Sequence, residues 1–265
     1  MAITDTLGST TLDVLAYVGQ LARLVGRATV AVVTGPRQGQ GERYRRALHQ
    51  AMAVGVEALP VISLITYFVG MILALQSAHE LKRFGAMEFV PNAVALSLTR
   101  ELGPLMTAIM VIGRSGSAFA AEIGTMKVSE EIDALETMAL DPVRFLVAPK
   151  LVAMLIMMPC LTMWSDFMGI IGGATFGIIG AGFTLGSYFH ATLDALLKDD
   201  IVSGLIKSFM FGLVITAVGC QEGFLTGLGS EQVGRSTTKA VVNSIILVIV
   251  VDLAFTTLFY LTGPA

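Results

Sequence analysis

The sequence predicts an all-α integral membrane protein with about five transmembrane helices, and three observations support this fold class. Of the 265 residues, 54% are hydrophobic and only 14% are charged, whereas a soluble domain carries about 25% charged residues. The mean hydropathy is +0.77. The apolar residues occur in stretches of about 20 or more, which is the length that crosses a bilayer as a helix.

Five stretches are long enough to span a membrane, at 51–75, 93–120, 146–183, 201–221 and 240–262. Charged and turn-forming residues separate them, and no internal repeat or linker divides the chain. We therefore predict one domain, with a peripheral region over 1–50 and a transmembrane bundle over 51–262. The third stretch exceeds one perpendicular span, so it must tilt, bend near Pro159 or extend beyond the membrane.

The segment 11–33 has two interpretations. Apolar residues recur at helical spacing, and polar residues follow another face: Asp13, Gln20, Arg23 and Arg27. This pattern favours a helix that lies in the membrane interface, with Leu12, Leu15, Val18, Val25 and Val32 towards the lipid. The alternative is a sixth span, which would bury three charges at about 2.5–3.5 kcal/mol each.

The lysine and arginine residues near the span ends predict the orientation. On one side we count Arg37, Arg43, Arg45, Arg46, Lys127, Arg144, Arg235 and Lys239. The other side carries Lys82, Arg83 and Lys198. Because basic residues favour the cytoplasm, we expect a cytoplasmic N-terminus, and five spans then place the C-terminus on the opposite side.

Composition and motifs exclude several functions. The net charge of −3 argues against nucleic-acid binding. The dipeptide Gly-Lys never occurs, so the chain has no GxxxxGK[ST] loop with which to bind ATP. No spacing predicts a metal site, and no cofactor is expected. Cys160 and Cys220 lie in apolar stretches and are predicted to be buried core residues. We therefore predict a protein without catalytic activity of its own.

The segment 129–140 is predicted to be an amphipathic helix in a cytoplasmic connection. Ser129 is expected to cap it, and Asp141-Pro142 to end it. Acidic residues occupy its first turn, and an apolar stripe follows: Ile132, Leu135, Met138 and Ala139. Helices that rest on lipid headgroups are usually basic, so the acidic character favours a protein partner over the membrane surface.

Several charged residues lie inside the predicted spans, where charges are rare and usually functional. They are Glu57, Arg100, Glu101, Arg114, Glu122, Asp166, Lys207 and Asp252. The alternative is that each forms a structural ion pair between helices. A further pattern, with Gly169, Gly173, Gly177 and Ala181 at four-residue spacing, predicts close helix packing within one chain or between two.

The run from Thr99 to Ala153 reads TRELGPLMTAIMVIGRSGSAFAAEIGTMKVSEEIDALETMALDPVRFLVAPKLVA. This run strongly resembles the MlaE (YrbE) permease family of bacterial lipid ABC transporters, which serve MCE-type systems. The resemblance extends to Gly70 and Gln76 upstream and to GRSTTKAVV at 234–242. It therefore covers most of the chain from about residue 50 onward.

The resemblance implies a homodimeric permease in the bacterial inner membrane. Its expected partners are cytoplasmic ABC ATPase subunits, a periplasmic MCE-domain hexamer and a STAS-domain subunit. The implied activity is movement of phospholipid between the inner membrane and a periplasmic carrier, which maintains the lipid asymmetry of the outer membrane. An ion-coupled secondary transporter is the alternative, since charges lie inside the spans.

The resemblance also implies two sets of site residues. The segment 129–140 matches the coupling helix, with ATPase contacts at Ser129, Glu130, Glu131, Asp133, Leu135, Glu136 and Met138. The positions that match the lipid-binding region are Leu73, Gln76, Leu98, Arg100, Glu101 and Leu102. Neighbouring side chains on a helix point about 100° apart, so Arg100 and Glu101 are expected to contact different partners.

Overall fold

The structure of the chain is a computed structural model that describes residues 2–34 and 40–262, and this part is helical, without a strand. The predicted all-α class is therefore confirmed. Arg37, one of the basic residues used for the orientation, lies outside the described residues. The same holds for the side chains of Asp13, Arg43 and Arg46.

Eleven α-helices form the described part of the chain. They are α1 (Ala2–Thr34), α2 (Gln40–Gly55), α3 (Leu59–Arg83), α4 (Val90–Ser97), α5 (Gly103–Val111), α6 (Ser117–Val128), α7 (Glu131–Thr137), α8 (Ala148–Gly180), α9 (Leu185–Ala195), α10 (Lys198–Phe224) and α11 (Ser230–Thr262). Two π-helical segments join consecutive helices, at Leu98–Leu102 and Ile112–Gly116, and a third, Val143–Val147, leads into α8.

Five helical stretches of the described chain are long and apolar enough to cross a membrane, as predicted. They are Ala47–Arg83, Met87–Val128, Val143–Gly180, Lys198–Phe224 and Ser230–Thr262. Most extend beyond the predicted bounds, because helix continues into charged residues that hydropathy excludes. The helix α1 is not among the five. The third stretch, which we predicted to reach residue 183, ends at Gly180 in the structure. Its helix α8 continues through Pro159 without interruption.

The chain divides into two compact units. Unit 1 comprises Met1–Gln50, Gly116–Ala153 and Leu213–Ser244. Unit 2 comprises Ala51–Ser115, Met154–Gly212 and Ile245–Ala265. Unit 1 thus contains one end of each of the five spans together with α1 and α7, and unit 2 holds the remaining span segments.

In unit 1, α1 packs through a face that the apolar pattern did not identify. Leu21, Leu24, Ala28 and Ala31 are buried, whereas Leu12, Leu15, Val18 and Val32 are exposed. Polar contacts also hold the helix. The Tyr17 hydroxyl donates to Glu222 at 2.7 Å, Gln221 donates to Gln20 at 2.8 Å, and Arg27 pairs with Asp141 at 3.0 Å. The polar face of α1 is therefore directed in part towards its own protein.

In unit 2, the small residues of α8 allow close packing within the chain. A Cβ on Gly70 would lie 1.9 Å from the Gly169 carbonyl oxygen, and one on Gly172 would lie 1.9 Å from the carbonyl oxygen of Tyr67. Gly173 and Gly177 accommodate the buried Tyr188, which a Cβ would approach to 2.7 Å at either position. The glycine spacing therefore packs helices of one chain, which decides between the two predicted interpretations for these residues.

Both cysteines are free thiols. Cys220 is buried, as predicted, whereas Cys160 is exposed. The prediction was wrong for Cys160 because an apolar helix in a bilayer has an outward face as well as an inward one.

Candidate functional site

The predicted lipid-binding residues include the π-helical segment Leu98–Leu102, which precedes a proline. Pro104 has no backbone N–H and cannot donate to the carbonyl four residues earlier. Instead the Gly103 N–H donates to the Leu98 carbonyl, five residues back. The segment Val143–Val147 ends in the same way, with Ala148 bonded to Val143 and Pro149 next in the chain. Each π turn changes the direction of the side chains that follow it.

Arg100 pairs with a buried carboxylate at the start of α10. Its Nε donates to Asp200 Oδ1, and Asp200 Oδ2 accepts a 2.9 Å hydrogen bond from the Leu197 backbone N–H. The Asp200 side chain is 1% exposed, whereas that of Arg100 is 56% exposed. The guanidinium therefore satisfies Asp200 through one edge and keeps N–H donors in an exposed position.

Glu101 contacts a different cluster, as the helical geometry predicts. Its Oε2 accepts a 2.6 Å hydrogen bond from Lys207 Nζ, and its Oε1 accepts a 2.9 Å bond from the Thr256 hydroxyl. Lys207 also donates to Thr256 at 2.8 Å and pairs with Asp252 at 3.0 Å. Because the Lys207 side chain is 1% exposed, this ammonium relies on the cluster in place of water.

The apolar residues predicted to bind lipid lie in one cluster of unit 2. Leu98 is 1% exposed in a core with Ala74, Ala78, Val90 and Val94, and Leu73 and Leu102 pack against that core while partly buried. Gln76 is exposed on α3. Of the three predicted leucines, Leu98 therefore belongs to the buried core, whereas Leu73 and Leu102 are partly exposed at its edge.

Of the other charged residues in the spans, some form the predicted ion pairs within the described part of the chain and one does not. Arg114 donates to Glu57 and, at 3.0 Å, to the Ala53 carbonyl, all within unit 2. Glu122 accepts a 2.7 Å hydrogen bond from Lys150 in unit 1. Asp166 lies against Gly103, and its Oδ1 has no hydrogen-bond partner among the described residues.

The predicted start of the helix in the segment 129–140 is wrong. Ser129 ends α6 rather than capping α7, and its Oγ bonds to the Thr125 carbonyl at 3.0 Å and to Glu131 at 2.9 Å. The N-cap residue of α7 is Glu130, in the left-handed region at φ 60°. This sharp turn, which a non-glycine residue adopts at a cost of about 1–2 kcal/mol, separates α6 from α7.

The predicted stop signal is also wrong. The helix ends at Thr137, and Ala139 adopts φ 57°. Leu140 N–H then bonds to the Leu135 carbonyl at 3.0 Å, and Ala139 N–H to the Glu136 carbonyl at 2.9 Å. This is a Schellman motif, here formed without glycine. Asp141 instead accepts a 3.0 Å bond from Val143 N–H at the start of the next helical segment.

The two faces of α7 differ in exposure. Ile132 and Leu135 are 7% and 8% exposed, so two of the four residues of the predicted apolar stripe face their own protein. Met138 and Leu140 are 62% and 41% exposed beyond the end of the helix. The acidic residues are all exposed: Glu130, Glu131, Asp133 and Glu136. The surface available to a partner is therefore an acidic face with an apolar end.

Sequence reasoning missed three buried charged residues that the packing depends on. Lys150 and Asp200 are 2% and 1% exposed, and Glu222 is 4% exposed. Each lies near the end of a predicted span, where a charge is ordinary and attracts no notice. The sequence contains no signal that pairs Asp200 with a residue 100 positions away. No group of three or more His, Cys, Asp or Glu side chains in the described residues is arranged to hold a metal ion.

Comparisons with known proteins give consistent results. The family described as Permease MlaE matches residues 47–258. A probable ABC transporter permease protein of Rickettsia bellii is 38% identical over 258 residues, which cover 97% of this chain and 98% of the relative. The intermembrane phospholipid transport system permease protein MlaE of Haemophilus influenzae is 37% identical over 215 residues, with 81% and 82% covered. The chloroplastic protein TRIGALACTOSYLDIACYLGLYCEROL 1 of Arabidopsis thaliana is 36% identical over 217 residues, with 82% and 62% covered.

Proposed function

This chain belongs to the MlaE permease family, and we propose that it is the membrane-embedded permease subunit of an ABC transporter for phospholipids. The observation that carries the proposal is its 37% identity, over 81% of its length, to a phospholipid transport permease. We propose that it moves phospholipid between the inner membrane and a periplasmic carrier, and so maintains the lipid asymmetry of the outer membrane.

The energy for transport would come from a partner, since the sequence has no phosphate-binding loop. We propose that α7 docks a cytoplasmic ABC ATPase subunit through its acidic face and Met138. Four exposed carboxylates on a short helix favour a basic groove on the partner. With α7 on the cytoplasmic side, the N-terminus would lie in the cytoplasm and, after five spans, the C-terminus would lie in the periplasm.

Lipid binding is proposed at the residues around Arg100. The half-exposed guanidinium has donors left after its bond to Asp200, and its planar shape suits a lipid phosphate. Leu73 and Leu102 would contact acyl chains beside it, with Gln76 on the same helix as Leu73. Glu101 would contribute only part of its negative charge to the site, because Lys207 neutralises it in part.

The proposed assembly is a homodimer of permeases with two ATPase subunits, a periplasmic MCE-domain hexamer and a STAS-domain subunit. A dimer would give the exposed apolar residues of the spans a protein surface to pack against. A large part of these surfaces is apolar, including Phe68, Ile72, Leu253 and Leu261. Lipid or protein must cover such residues.

Reconstitution into proteoliposomes tests this function against the ion-coupled alternative, which the charged Lys207 cluster favours. The permease alone should hydrolyse no ATP, whereas the complex with its ATPase should transfer labelled phospholipid to an acceptor only when ATP is present. Ionophores that collapse proton and sodium gradients should leave the transfer unchanged. Transfer that needs a gradient and ignores ATP would establish the secondary transporter instead.

A further inference from the structure

Unit 1 contains a cavity that shares no lining residue with the proposed lipid site. Its lining residues are His49, Gln50, Glu122, Phe145, Leu146, Pro149 and Lys150. Three spans contribute to it, namely the start of Ala47–Arg83, the end of Met87–Val128 and the start of Val143–Gly180. Successive spans cross the membrane in opposite directions, so these three ends lie on the same side.

The lengths of the three stretches place the cavity near the lipid headgroups. They are 37, 42 and 38 residues long, which at 1.5 Å per residue is about 55–63 Å, so their ends extend past a bilayer of about 40–45 Å. His49, Glu122 and Lys150 all lie within seven residues of such an end. A cavity at this depth faces headgroups and the upper ends of acyl chains.

Lys150 provides a buried cation at this cavity. Its side chain is 2% exposed, its Nζ donates a 2.7 Å hydrogen bond to Glu122, and the same atom lies 5.1 Å from the centre of the Phe119 ring. An ammonium has three N–H donors, and the bond to Glu122 uses one. A buried ammonium with N–H donors that Glu122 does not use is suited to bind an anion that enters the cavity.

Glu122 and the other lining residues indicate which further chemical groups a ligand of this cavity would carry. The Glu122 side chain is 46% exposed, so its carboxylate can accept from an amine outside the cavity while Lys150 binds a phosphate inside. His49 is exposed at the same cavity and offers a further ring nitrogen. Phe145, Leu146 and Pro149 form an apolar wall. This lining suits an amphiphile that carries a phosphate, an amine and an acyl chain.

We propose that this cavity is a second phospholipid site, which binds a zwitterionic headgroup of the leaflet on the α7 side. The phosphate contacts Lys150 and the headgroup amine contacts Glu122. The lipid bound there would be either a structural lipid or a substrate lipid before its transport. The proposal requires membrane insertion of the chain, and not the transport role.

The test is native mass spectrometry of the full-length chain after delipidation, titrated with lipids that share the same acyl chains. Phosphatidylethanolamine should bind more tightly than phosphatidylglycerol, and both more tightly than diacylglycerol, which lacks the phosphate. Lys150→Met should weaken phosphatidylethanolamine binding about tenfold or more, because a hydrogen bond to a charged group is lost. The matched control Lys239→Met, at an exposed lysine of the same unit, should bind like the wild type.

Two more variants keep the test decisive if Lys150→Met fails to fold. Glu122→Gln should reduce the preference for phosphatidylethanolamine over phosphatidylglycerol and leave the phosphate contact. Gln50→Trp should fill the half-buried rim of the cavity and weaken both lipids while the ion pair persists. Equal binding of diacylglycerol, or wild-type affinity in Gln50→Trp, would overturn the site.

Inorganic phosphate separates a lipid headgroup from a free anion. Phosphate at millimolar concentration should compete poorly, because it has no acyl chain for the apolar wall. If phosphate alone binds with the same dependence on Lys150, the site takes a free anion and the lipid assignment is wrong. Because no arm of the test measures transport, its failure leaves the proposed transport function to be judged separately.

Discussion

Two buried lysines, one in each unit of this permease, differ in how their charge is compensated. Lys207 in unit 2 and Lys150 in unit 1 are 1% and 2% exposed. Lys207 is surrounded by Glu101, Asp252 and the Thr256 hydroxyl. Lys150 has the half-exposed Glu122 and an aromatic ring beside it, and it borders a cavity.

The two environments differ in how they replace the hydrogen bonds to water that each ammonium loses on burial. A buried charge is tolerated when partners use its donors. Lys207 donates hydrogen bonds to Glu101 and Thr256 and forms an ion pair with Asp252 at 3.0 Å, so this cluster holds α10 and α11 to the segment that carries Glu101. Lys150 has fewer described partners, and the remaining donor capacity is what a ligand could use. Satisfied clusters therefore hold helices, and partly satisfied ones beside cavities are candidates for binding.

Lys207→Met should give the largest loss of stability. It leaves Glu101 and Asp252 facing each other without a cation, and breaking a buried ion pair costs about 3–5 kcal/mol. We expect little folded protein in the membrane, measured by fluorescence-detected size-exclusion chromatography.

Neutral partners test the reason for this loss. Adding Glu101→Gln and Asp252→Asn to Lys207→Met removes the unpaired carboxylates and should restore much of the protein. Lys198→Met, at an exposed lysine at the start of α10, is the matched control and should be harmless. Full stability of Lys207→Met alone would show that the cluster does not hold the helices.

Arg100→Ala should have an intermediate effect. It leaves Asp200 with its bond to the Leu197 N–H but without its cation. Because the Arg100 side chain is 56% exposed, water can replace it in part, so the cost should be below the roughly 3–5 kcal/mol typical of a fully buried pair. Thermal aggregation of the detergent-solubilised chain should shift to lower temperature but keep one transition.

Arg100→Lys separates the lipid role of this residue from its structural one. A lysine keeps the charge beside Asp200 but lacks the planar fork that binds a phosphate through two bonds. Stability should return, whereas crosslinking of lipid to a photoreactive residue at position 102 should stay reduced. Recovery of both would show that lipid contact at this position does not require the planar guanidinium.

Lys150→Met should destabilise the chain by less, about 1 kcal/mol or below. The carboxylate that it leaves, Glu122, is half exposed and can be hydrated, as in surface pairs. Measured by the same thermal assay, the shift should be smaller than that of Arg100→Ala. A loss as large as that of Lys207→Met would remove the distinction between the two lysines.

Met138→Asp should leave stability unchanged and act on assembly. The residue is 62% exposed at the end of α7, so a carboxylate there is hydrated in the free permease but desolvated at an interface. The ATPase subunit should no longer co-purify. Leu135→Asp is not equivalent, because Leu135 is 8% exposed and its replacement would disturb the fold. Undiminished co-purification of Met138→Asp would move the docking surface elsewhere.

The sequence predicted the fold class and the number of spans because both depend on composition and length. A bilayer requires about 20 apolar residues per helix wherever they pack, so five spans could be identified without any tertiary contact. The acidic character of the segment 129–140 and the separate partners of Arg100 and Glu101 also follow from local chemistry and helical geometry. The family resemblance, carried by Thr99–Ala153, was confirmed by the match over 47–258.

Only the tertiary structure decided which faces and which charges meet. Ser129 was predicted to cap α7, yet a left-handed Glu130 separates it from that helix, and no local signal marks that turn. The apolar stripe of α7 is divided between its own core and the surface, since burial depends on what lies opposite. Lys150 and Glu122, 28 positions apart, become partners because two spans bring the same ends together. Pairing across spans is long-range, so composition and periodicity contain no record of it.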